Sequence, residues 1–297
     1  MNKAKTDLIQ ARIREIDAIP TVPAILRPLL HYLEQPEDQI EVPKIVELVS
    51  CDGSIAAQCL HMANSPLFGR SRAVDTVRGA VISLGVGRLR DILLSCVLVR
   101  MVPKAKWLID PVVFWQHSLG CALLCRQFAR KINYHAPEKA YLAGLLHDLG
   151  EVVNSVLLPS EFRSAAEKAF SQSLPIHEAE LSAMGFTHCE SGEILARHWN
   201  LAPDIGSVIR HHHDVQQAKL HPVLVALVNL CDLLCRMRGL GYGYYESREV
   251  DFLEEPAWWI LTKEYPHLEQ FDLARFTFEM DEYTTQIRDL VSSVFPS

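Results

Sequence analysis

Apolar residues recur at spacings of three and four along almost the whole of this 297-residue chain. Convincing runs of alternating apolar and polar residues, the pattern of half-buried strands, are missing. Helices with one apolar face bury it against other helices, so the spacing predicts an all-α protein built as a helical bundle. Segments that are apolar on nearly every side are expected in the middle of that bundle.

Charge and apolar content narrow the class of protein further. The chain has 29 basic and 36 acidic residues, a formal net charge of −7 and 49% hydrophobic residues. These values exclude a basic nucleic-acid coat and a disordered chain, and we expect no direct binding of nucleic acid. The polar start lacks a signal-peptide core and the apolar runs are too short to span a membrane, so we expect a cytoplasmic protein without a membrane partner.

The eight cysteines fit a reducing compartment. The cytosol keeps thiols reduced, and none of these cysteines forms a CxxC motif. Cys121 and Cys125 are four residues apart, as are Cys231 and Cys235, and each pair therefore shares one face of a helix. We interpret both pairs as small, buried core residues.

Breaks in the helical pattern predict three regions. Residues 1–105 form an N-terminal helical subdomain, residues 106–240 a second helical subdomain, and residues 241–297 an aromatic, irregular segment followed by a helix. The predicted helices of the first region open at 19–23 and cover 42–50, 54–62, 74–84 and 86–99. Those of the other two regions cover 111–133, 137–149, 188–199, 203–210, 222–238 and 273–294.

Two aspartates lie in the most apolar of these predicted helices. Asp148 follows His147 in the helix over 137–149, and Asp232 lies among leucines and valines in the helix over 222–238. A buried carboxylate without a partner is costly, so each aspartate needs an electropositive neighbour. For Asp232, the cation that could form an ordinary ion pair is Arg236, one turn further on.

Histidine side chains could bind a cation that both aspartates share. Five of the 13 histidines stand where the predicted helices would converge: His117, His147, His188, His212 and His213. Imidazole and carboxylate are the usual ligands of divalent first-row metals such as Fe, Mn, Co and Zn. The set predicts a metal site. The alternative is a metal-free core in which the same histidines and aspartates hydrogen-bond one another.

Five short motifs carry a resemblance to a known family. They are ANSPLFG at 63–69, LGVGRLR at 84–90, WQHS at 115–118, AGLLHDLG at 143–150 and RHHHD at 210–214. In this order they resemble the HDOD branch of the HD-domain superfamily of metal-dependent phosphohydrolases. The resemblance extends over about residues 15–238 and leaves the C-terminal segment outside.

The resemblance implies a set of metal ligands. Seven positions match the ligands of dinuclear relatives, namely His117, His147, Asp148, Asp232, His188, His212 and His213. The first four would hold one ion and the last three a second, with Asp148 as the bridging, catalytic carboxylate. A histidine at position 117 also matches the mononuclear relatives, so the resemblance implies one or two ions, and it does not distinguish Fe, Mn or Zn.

The resemblance also implies a role in bacterial signal transduction. HDOD domains serve there as regulatory or output modules, whose partners are other signalling proteins. The alternative is an active phosphohydrolase or phosphodiesterase on a nucleotide-like phosphoester, which Arg210 or Lys219 could contact. The GYP signature of cyclic-di-GMP phosphodiesterases is absent after His213, where 214–219 read DVQQAK. We interpret the GYGYY run at 241–245 as a flexible aromatic loop.

Overall fold

Helices account for the regular structure throughout the part of the chain that the computed structural model describes. That part comprises residue 11 and residues 39–50, 53–68, 73–100, 108–242 and 250–294. The all-α prediction is confirmed over these residues. The helix predicted to open at 19–23 lies outside them. No helix within them is both long and apolar enough to cross a membrane.

Two compact units divide the chain. One contains the described residues 108–242 and 250–284, and the other contains those from 39 to 100 together with 285–294. The second unit has four helices in its N-terminal part: α1 (Val42–Ser50), α2 (Gly53–Ala63), α3 (Val77–Leu84) and α4 (Val86–Arg100). These bounds lie close to the predicted ones. The predicted regions with boundaries after 105 and 240 stay a prediction.

Sequence signals explain the local structure of this four-helix part. Asn64 directly follows α2, and its side chain donates to the Val74 carbonyl at 2.8 Å and accepts from the Val74 amide at 2.7 Å. Thr76 caps α3 by accepting a hydrogen bond from the Gly79 amide at 3.0 Å. Ile45 and Leu89 are buried, so the apolar faces of α1 and α4 contribute to the core of this unit.

The other unit contains the predicted site residues. Its helices are α5 (Pro111–Lys131), α6 (Pro137–Leu146), α7 (Leu149–Leu157), α8 (Pro159–Gln172), α9 (Ile176–Met184), α10 (His188–His198), α11 (Pro203–His211), α12 (Pro222–Met237), α13 (Pro256–Glu264) and α14 (Leu273–Val294). The end of α14, from residue 285 onward, belongs to the unit that contains α1 to α4. Sequence patterns did not predict α7, α8 or α9. Helix α13 lies where we expected irregular structure.

Capping residues start and stop these helices as the sequence predicts. Asp110 accepts a hydrogen bond from the Val112 amide at 2.8 Å and caps α5. Thr187 and Glu190 form the capping box of α10, in which the Glu190 carboxylate accepts from the Thr187 amide at 2.8 Å. Gly239, with φ of 72°, adopts the left-handed conformation that follows the end of α12.

The predicted helix over 137–149 is interrupted at His147 and Asp148, two of the predicted metal ligands. Helix α6 ends at Leu146 and α7 begins at Leu149, so His147 and Asp148 form a turn between two helices. Asp148 has φ of −98° and ψ of 14°, outside helical values. Both helices are buried, so the apolar pattern continues through the turn and gives no sign of it.

Close backbone contact holds this turn against α10. A Cβ atom added at Gly150 would lie 1.8 Å from the His188 carbonyl oxygen and 2.8 Å from the Gly192 amide nitrogen. Backbone atoms cannot move aside as a flexible side chain can. Glycine at 150 therefore allows α7 to approach α10 closely enough for Asp148 and His188 to share one site.

We expect Gly150→Ala to destabilise the protein by about 3 kcal/mol or more, because the added methyl group overlaps backbone atoms of α10. Gly206→Ala is the matched control, since a Cβ atom there meets nothing within 4 Å. Alanine at 206 should leave stability equal or raise it by up to about 1 kcal/mol through helix propensity. Urea unfolding of both variants measures the difference. Equal stability of the two variants would contradict this packing.

Candidate metal centre

Five elements bring the predicted residues together. His117 lies in α5, His147 and Asp148 form the turn after α6, and Asp232 lies in α12. His188 is the first residue of α10, and His212 and His213 directly follow α11. Six of the seven residues are buried, and none of the six has more than 4% of its surface exposed. The seventh, His213, is half-buried. The structure thus collects all seven predicted ligands in one unit.

Backbone carbonyls orient three of the imidazole rings. Nδ1 of His117 lies 2.6 Å from the Leu240 oxygen, and Nδ1 of His147 lies 2.7 Å from the Gly144 oxygen. Nδ1 of His212 lies 3.1 Å from the oxygen of Ile209. A carbonyl oxygen only accepts, so in a neutral ring these contacts place the proton on Nδ1 and leave the lone pair of Nε2 able to bind a metal ion.

A carboxylate orients the fourth ring, that of His188, and also contacts it at Nδ1. Glu180 Oε2 accepts from Nδ1 of His188 at 2.6 Å and from the His188 amide at 2.8 Å. Its other oxygen accepts from Nδ2 of Asn154 at 2.8 Å. Such carboxylate–imidazole pairs commonly fix the tautomer and orientation of metal-binding histidines.

The four Nε2 atoms form two facing pairs. Nε2 of His117 lies 3.2 Å from Nε2 of His147, and Nε2 of His188 lies 3.3 Å from Nε2 of His212. Neutral rings with protons on Nδ1 would point two lone pairs at each other. Each pair therefore needs a positive charge between its nitrogens, either a shared proton or a metal ion.

Asp148 lies between the two pairs. Its Oδ2 is 3.3 Å from Nε2 of His117 and 3.0 Å from Nε2 of His147. Its Oδ1 is 3.2 Å from Nε2 of His212 and 3.5 Å from Nε2 of His188. Each carboxylate oxygen thus faces one histidine pair, which is the placement that a carboxylate bridging two ions requires.

The oxygen that faces His188 and His212 fits a metal ligand. Among the described residues, Oδ1 of Asp148 is buried, and its nearest polar neighbours are Nε2 of His212 and Nε2 of His188, which can donate to it only when they are protonated. A buried carboxylate oxygen in this state is costly unless a cation satisfies it. The donor set of imidazole and carboxylate suits Fe, Mn, Co or Zn.

Asp232 divides its two oxygens between different partners. Oδ2 forms an ion pair with Arg236, the partner that the sequence suggested. Oδ1 lies 3.2 Å from Nε2 of His117 and 3.9 Å from Nε2 of His147, on the side of the first histidine pair. The local ion pair therefore leaves one oxygen available to a cation at His117 and His147.

Three neighbours of the site that the sequence patterns did not reveal are Tyr242, Glu180 and Cys189. The Tyr242 hydroxyl donates to Oδ2 of Asp148 at 2.7 Å, and its ring centroid lies 4.6 Å from that of His117. The interpretation of the run at 241–245 as a flexible aromatic loop gives Tyr242 no role at the site, whereas its hydroxyl contacts Asp148. Residues 243–249 of this segment lie outside the described residues. The sequence does contain a sign of Glu180's role, because this acidic residue lies one turn after Ile176 and therefore on the buried face of α9.

The third missed neighbour is Cys189, whose sulfur lies 3.9 Å from Nε2 of His212. Burial alone would raise the pKa of this thiol, but the His212 and His188 imidazoles outweigh burial and lower the pKa to about 6.

Arg210, which the sequence analysis considers as a substrate contact, lies 3.7 Å from Glu190 and 3.6 Å from Glu193. Arg210 and Lys219 line an open surface cavity of about 770 Å³, in which the seven predicted ligands have no part.

When no cation is bound, electrostatics keep the aspartates ionised and hold protons on His117 and His212, whereas burial and the neighbouring imidazoles lower the pKa of His213. Burial raises the pKa of Asp148, but His147 and the other imidazoles outweigh it and hold the pKa well below its usual value. Burial lowers the pKa of His117, but hydrogen bonds to Asp148 and Asp232 outweigh it and raise the pKa to about 9. The pKa of His212 is also raised to about 9, although burial opposes the shift.

Metal uptake should therefore depend on pH. The raised pKa values mean that His117 and His212 hold protons near neutral pH, and a metal ion must displace those protons. We expect the affinity for Mn²⁺ to rise between about pH 6 and about pH 9, by up to about tenfold per pH unit for each displaced proton. Calorimetry in buffers of different ionisation enthalpy measures both quantities. An affinity that stays constant with pH would contradict this description.

Curated proteins that match this chain are longer than it. An uncharacterized protein of Treponema pallidum (strain Nichols) is 27% identical over 218 residues, which are 73% of this chain and 42% of that protein. Ribonuclease Y of Geobacter metallireducens is 32% identical over 124 residues, which are 42% of this chain and 18% of that protein. The chain thus spans less than half the length of either relative.

Solved structures match over nearly the full chain. An HDOD domain protein of unknown function from Geobacter sulfurreducens has a TM-score of 0.86 and 28% identity, with 99% of each chain covered. A proposed phosphohydrolase from Shewanella amazonensis SB2B has a TM-score of 0.74 at 21% identity, with 96% of this chain and 98% of that chain covered, and shows a likeness of fold alone. The HDOD domain family model matches residues 19–215. Since that match covers well over half of the chain, the protein belongs to the HDOD family.

Proposed function

We propose that this protein is a regulatory module of bacterial signal transduction built around a metal centre of one or two divalent transition ions. The observation that carries the metal centre is the convergence of four Nε2 atoms on Asp148, each from a ring whose Nδ1 contacts an acceptor. Membership in the HDOD family supports the signalling role, with other signalling proteins as partners.

In this proposal, Asp148 would be a ligand at both ion positions. His117, His147 and Asp232 would complete the first, and His188, His212 and His213 the second. Five neutral imidazoles and two carboxylates leave about +2 on a centre with two divalent ions, a charge that attracts phosphate. A bound ion of this kind supplies Lewis acidity and lowers the pKa of a coordinated water.

The chain's own residues would tune such a centre. Glu180 holds His188 in place by accepting one hydrogen bond from its ring and one from its backbone amide. Arg236 holds one oxygen of Asp232, so that carboxylate can offer only the other. Tyr242 donates to Oδ2 of Asp148 and restrains the rotation of the carboxylate. These contacts fix the ligand geometry before any ion binds.

Burial of the centre favours regulation over catalysis. His117, His147, His188 and His212 have no exposed surface, and Asp148 has 4%. A phosphoester must reach a metal ion to be hydrolysed, and fully buried ligands restrict that approach. The second candidate, a metal-dependent phosphohydrolase or phosphodiesterase, is favoured by the placement of Asp148 between two potential ion positions, which resembles two-metal hydrolytic sites.

We expect Asp148→Ala to abolish metal retention, because the variant lacks the carboxylate that faces both histidine pairs. Asp204→Ala is the control, since Asp204 is a buried aspartate of the same unit that pairs with Lys139 at 2.5 Å. Elemental analysis of untagged protein, with folding checked by circular dichroism, gives the result. If Asp148→Ala retains as much metal as the parent, the ion binds elsewhere.

We expect hydrolysis of cyclic-di-GMP to be weak or absent even when the protein is loaded with metal. Activated water alone is not sufficient, because a misplacement of the reacting phosphorus by about 1 Å can cost on the order of a hundredfold in rate. Chromatography after anaerobic incubation with excess Mn²⁺ or Fe²⁺ would detect the linear dinucleotide. Turnover of about 1 per second or faster would overturn the regulatory proposal and support the phosphodiesterase.

A further inference from the structure

A thiol lies beside the histidines of the second ion position. One ligand atom from each of His188, Cys189, His212 and His213 lies within 4.8 Å of the others. Cys189 is buried, with 4% of its surface exposed. The other potential ion position, at His117, His147, Asp148 and Asp232, has only nitrogen and oxygen donors. The two halves of the centre therefore differ in chemistry.

We propose that Cys189 is a protein ligand of the second ion and completes a set of three imidazoles and one thiolate with His188, His212 and His213. This inference rests on the proposed metal centre. Thiolate and imidazole donors favour thiophilic ions such as Zn²⁺, and Oδ1 of Asp148, which would bridge to this ion, would be a fifth donor of the closed site. The second position would therefore select Zn²⁺ and contribute to stability, whereas the first position would accept harder ions such as Mn²⁺ or Fe²⁺.

The spacing of the donor atoms matches this chemistry. With the usual zinc–nitrogen and zinc–sulfur bond lengths, tetrahedral geometry places two nitrogens about 3.4 Å apart and a nitrogen and a sulfur about 3.6 Å apart. Nε2 of His188 lies 3.3 Å from Nε2 of His212. The Cys189 sulfur lies 3.9 Å from Nε2 of His212. Small rotations of these side chains would bring all three atoms to bonding distance from one ion.

The surroundings of the thiol also suit a ligand. The Cys189 sulfur lies 3.9 Å from both ring nitrogens of His212, and Nδ1 is directed to the Val208 and Ile209 carbonyl oxygens at 3.2 and 3.1 Å, so Nε2 is the nitrogen left to bind an ion beside the sulfur. Cys189 is in the first turn of α10, where the positive end of the helix dipole favours a thiolate. As the metal–sulfur bond forms, the S–H bond breaks and its proton passes to solvent.

The remaining ligand is positioned by ring contacts. The His213 ring centroid is 4.2 Å from that of His212 and 5.1 Å from that of His188. On its other side, His213 stacks on His177 with centroids 4.2 Å apart and an interplanar angle of 20°. His177 therefore limits the orientations that the His213 imidazole can adopt near the sulfur.

Cobalt spectroscopy tests the inference directly. Metal-free, untagged protein is loaded with Co²⁺, whose visible bands report any bound ion and whose near-ultraviolet charge-transfer band reports a thiolate ligand. The parent should show both. Cys189→Ala should lose the charge-transfer band and bind Zn²⁺ at least tenfold more weakly. Cys125→Ala is the control, because this buried thiol lies 3.8 Å from the sulfur of Cys121, and it should keep the band.

The outcomes separate this inference from the proposed function. Visible bands without a thiolate band in the parent, or a thiolate band that persists in Cys189→Ala, would overturn the role of Cys189 and leave the metal centre intact. The absence of any cobalt bands would contradict the metal centre itself. X-ray absorption of the zinc-loaded parent needs no variant. Sulfur in the first coordination shell is expected, and a shell of nitrogen and oxygen alone would overturn the inference.

Discussion

The contact between the Asp148 carboxylate and two histidine pairs governs the organisation of the site-bearing unit. One oxygen faces His117 and His147, and the other faces His188 and His212. A carboxylate buried in this way must be balanced by positive charge. The surrounding chain meets that demand from separate helices, so the same interaction that forms the site also ties those helices together.

Outside the ligands, further polar residues make the arrangement specific. Glu180 and Asn154 form a hydrogen-bonded chain that ends on His188, and Arg236 and Tyr242 each hold one aspartate oxygen. Partly satisfied buried polar groups are costly, whereas a connected network of them fixes one geometry. The asymmetry of the two halves follows from this network and from Cys189, whose sulfur lies beside His188, His212 and His213.

Much of the helical fold and of the candidate metal centre could be predicted from the sequence. Aspartates within apolar helices and histidines near helix ends predict a site because buried charges need partners, and Asp148 and Asp232 both lie there. The turn at His147 and Asp148 was not accessible, since α6 and α7 are buried and their apolar pattern is continuous. Tyr242 and Cys189 were missed because nothing local distinguishes a loop tyrosine or a core cysteine from one that contacts a buried carboxylate or imidazole.

Anomalous X-ray diffraction from crystals of untagged protein tests the metal centre most directly. Data collected at the absorption edges of Mn, Fe, Co and Zn locate each ion and identify the element. If the metal centre exists, at least one anomalous peak is expected beside Asp148, at about 2.0–2.3 Å from the imidazole nitrogens of one histidine pair. Crystals without such a peak, in which the Nε2 atoms of each pair share a proton at the distances observed here, would contradict it.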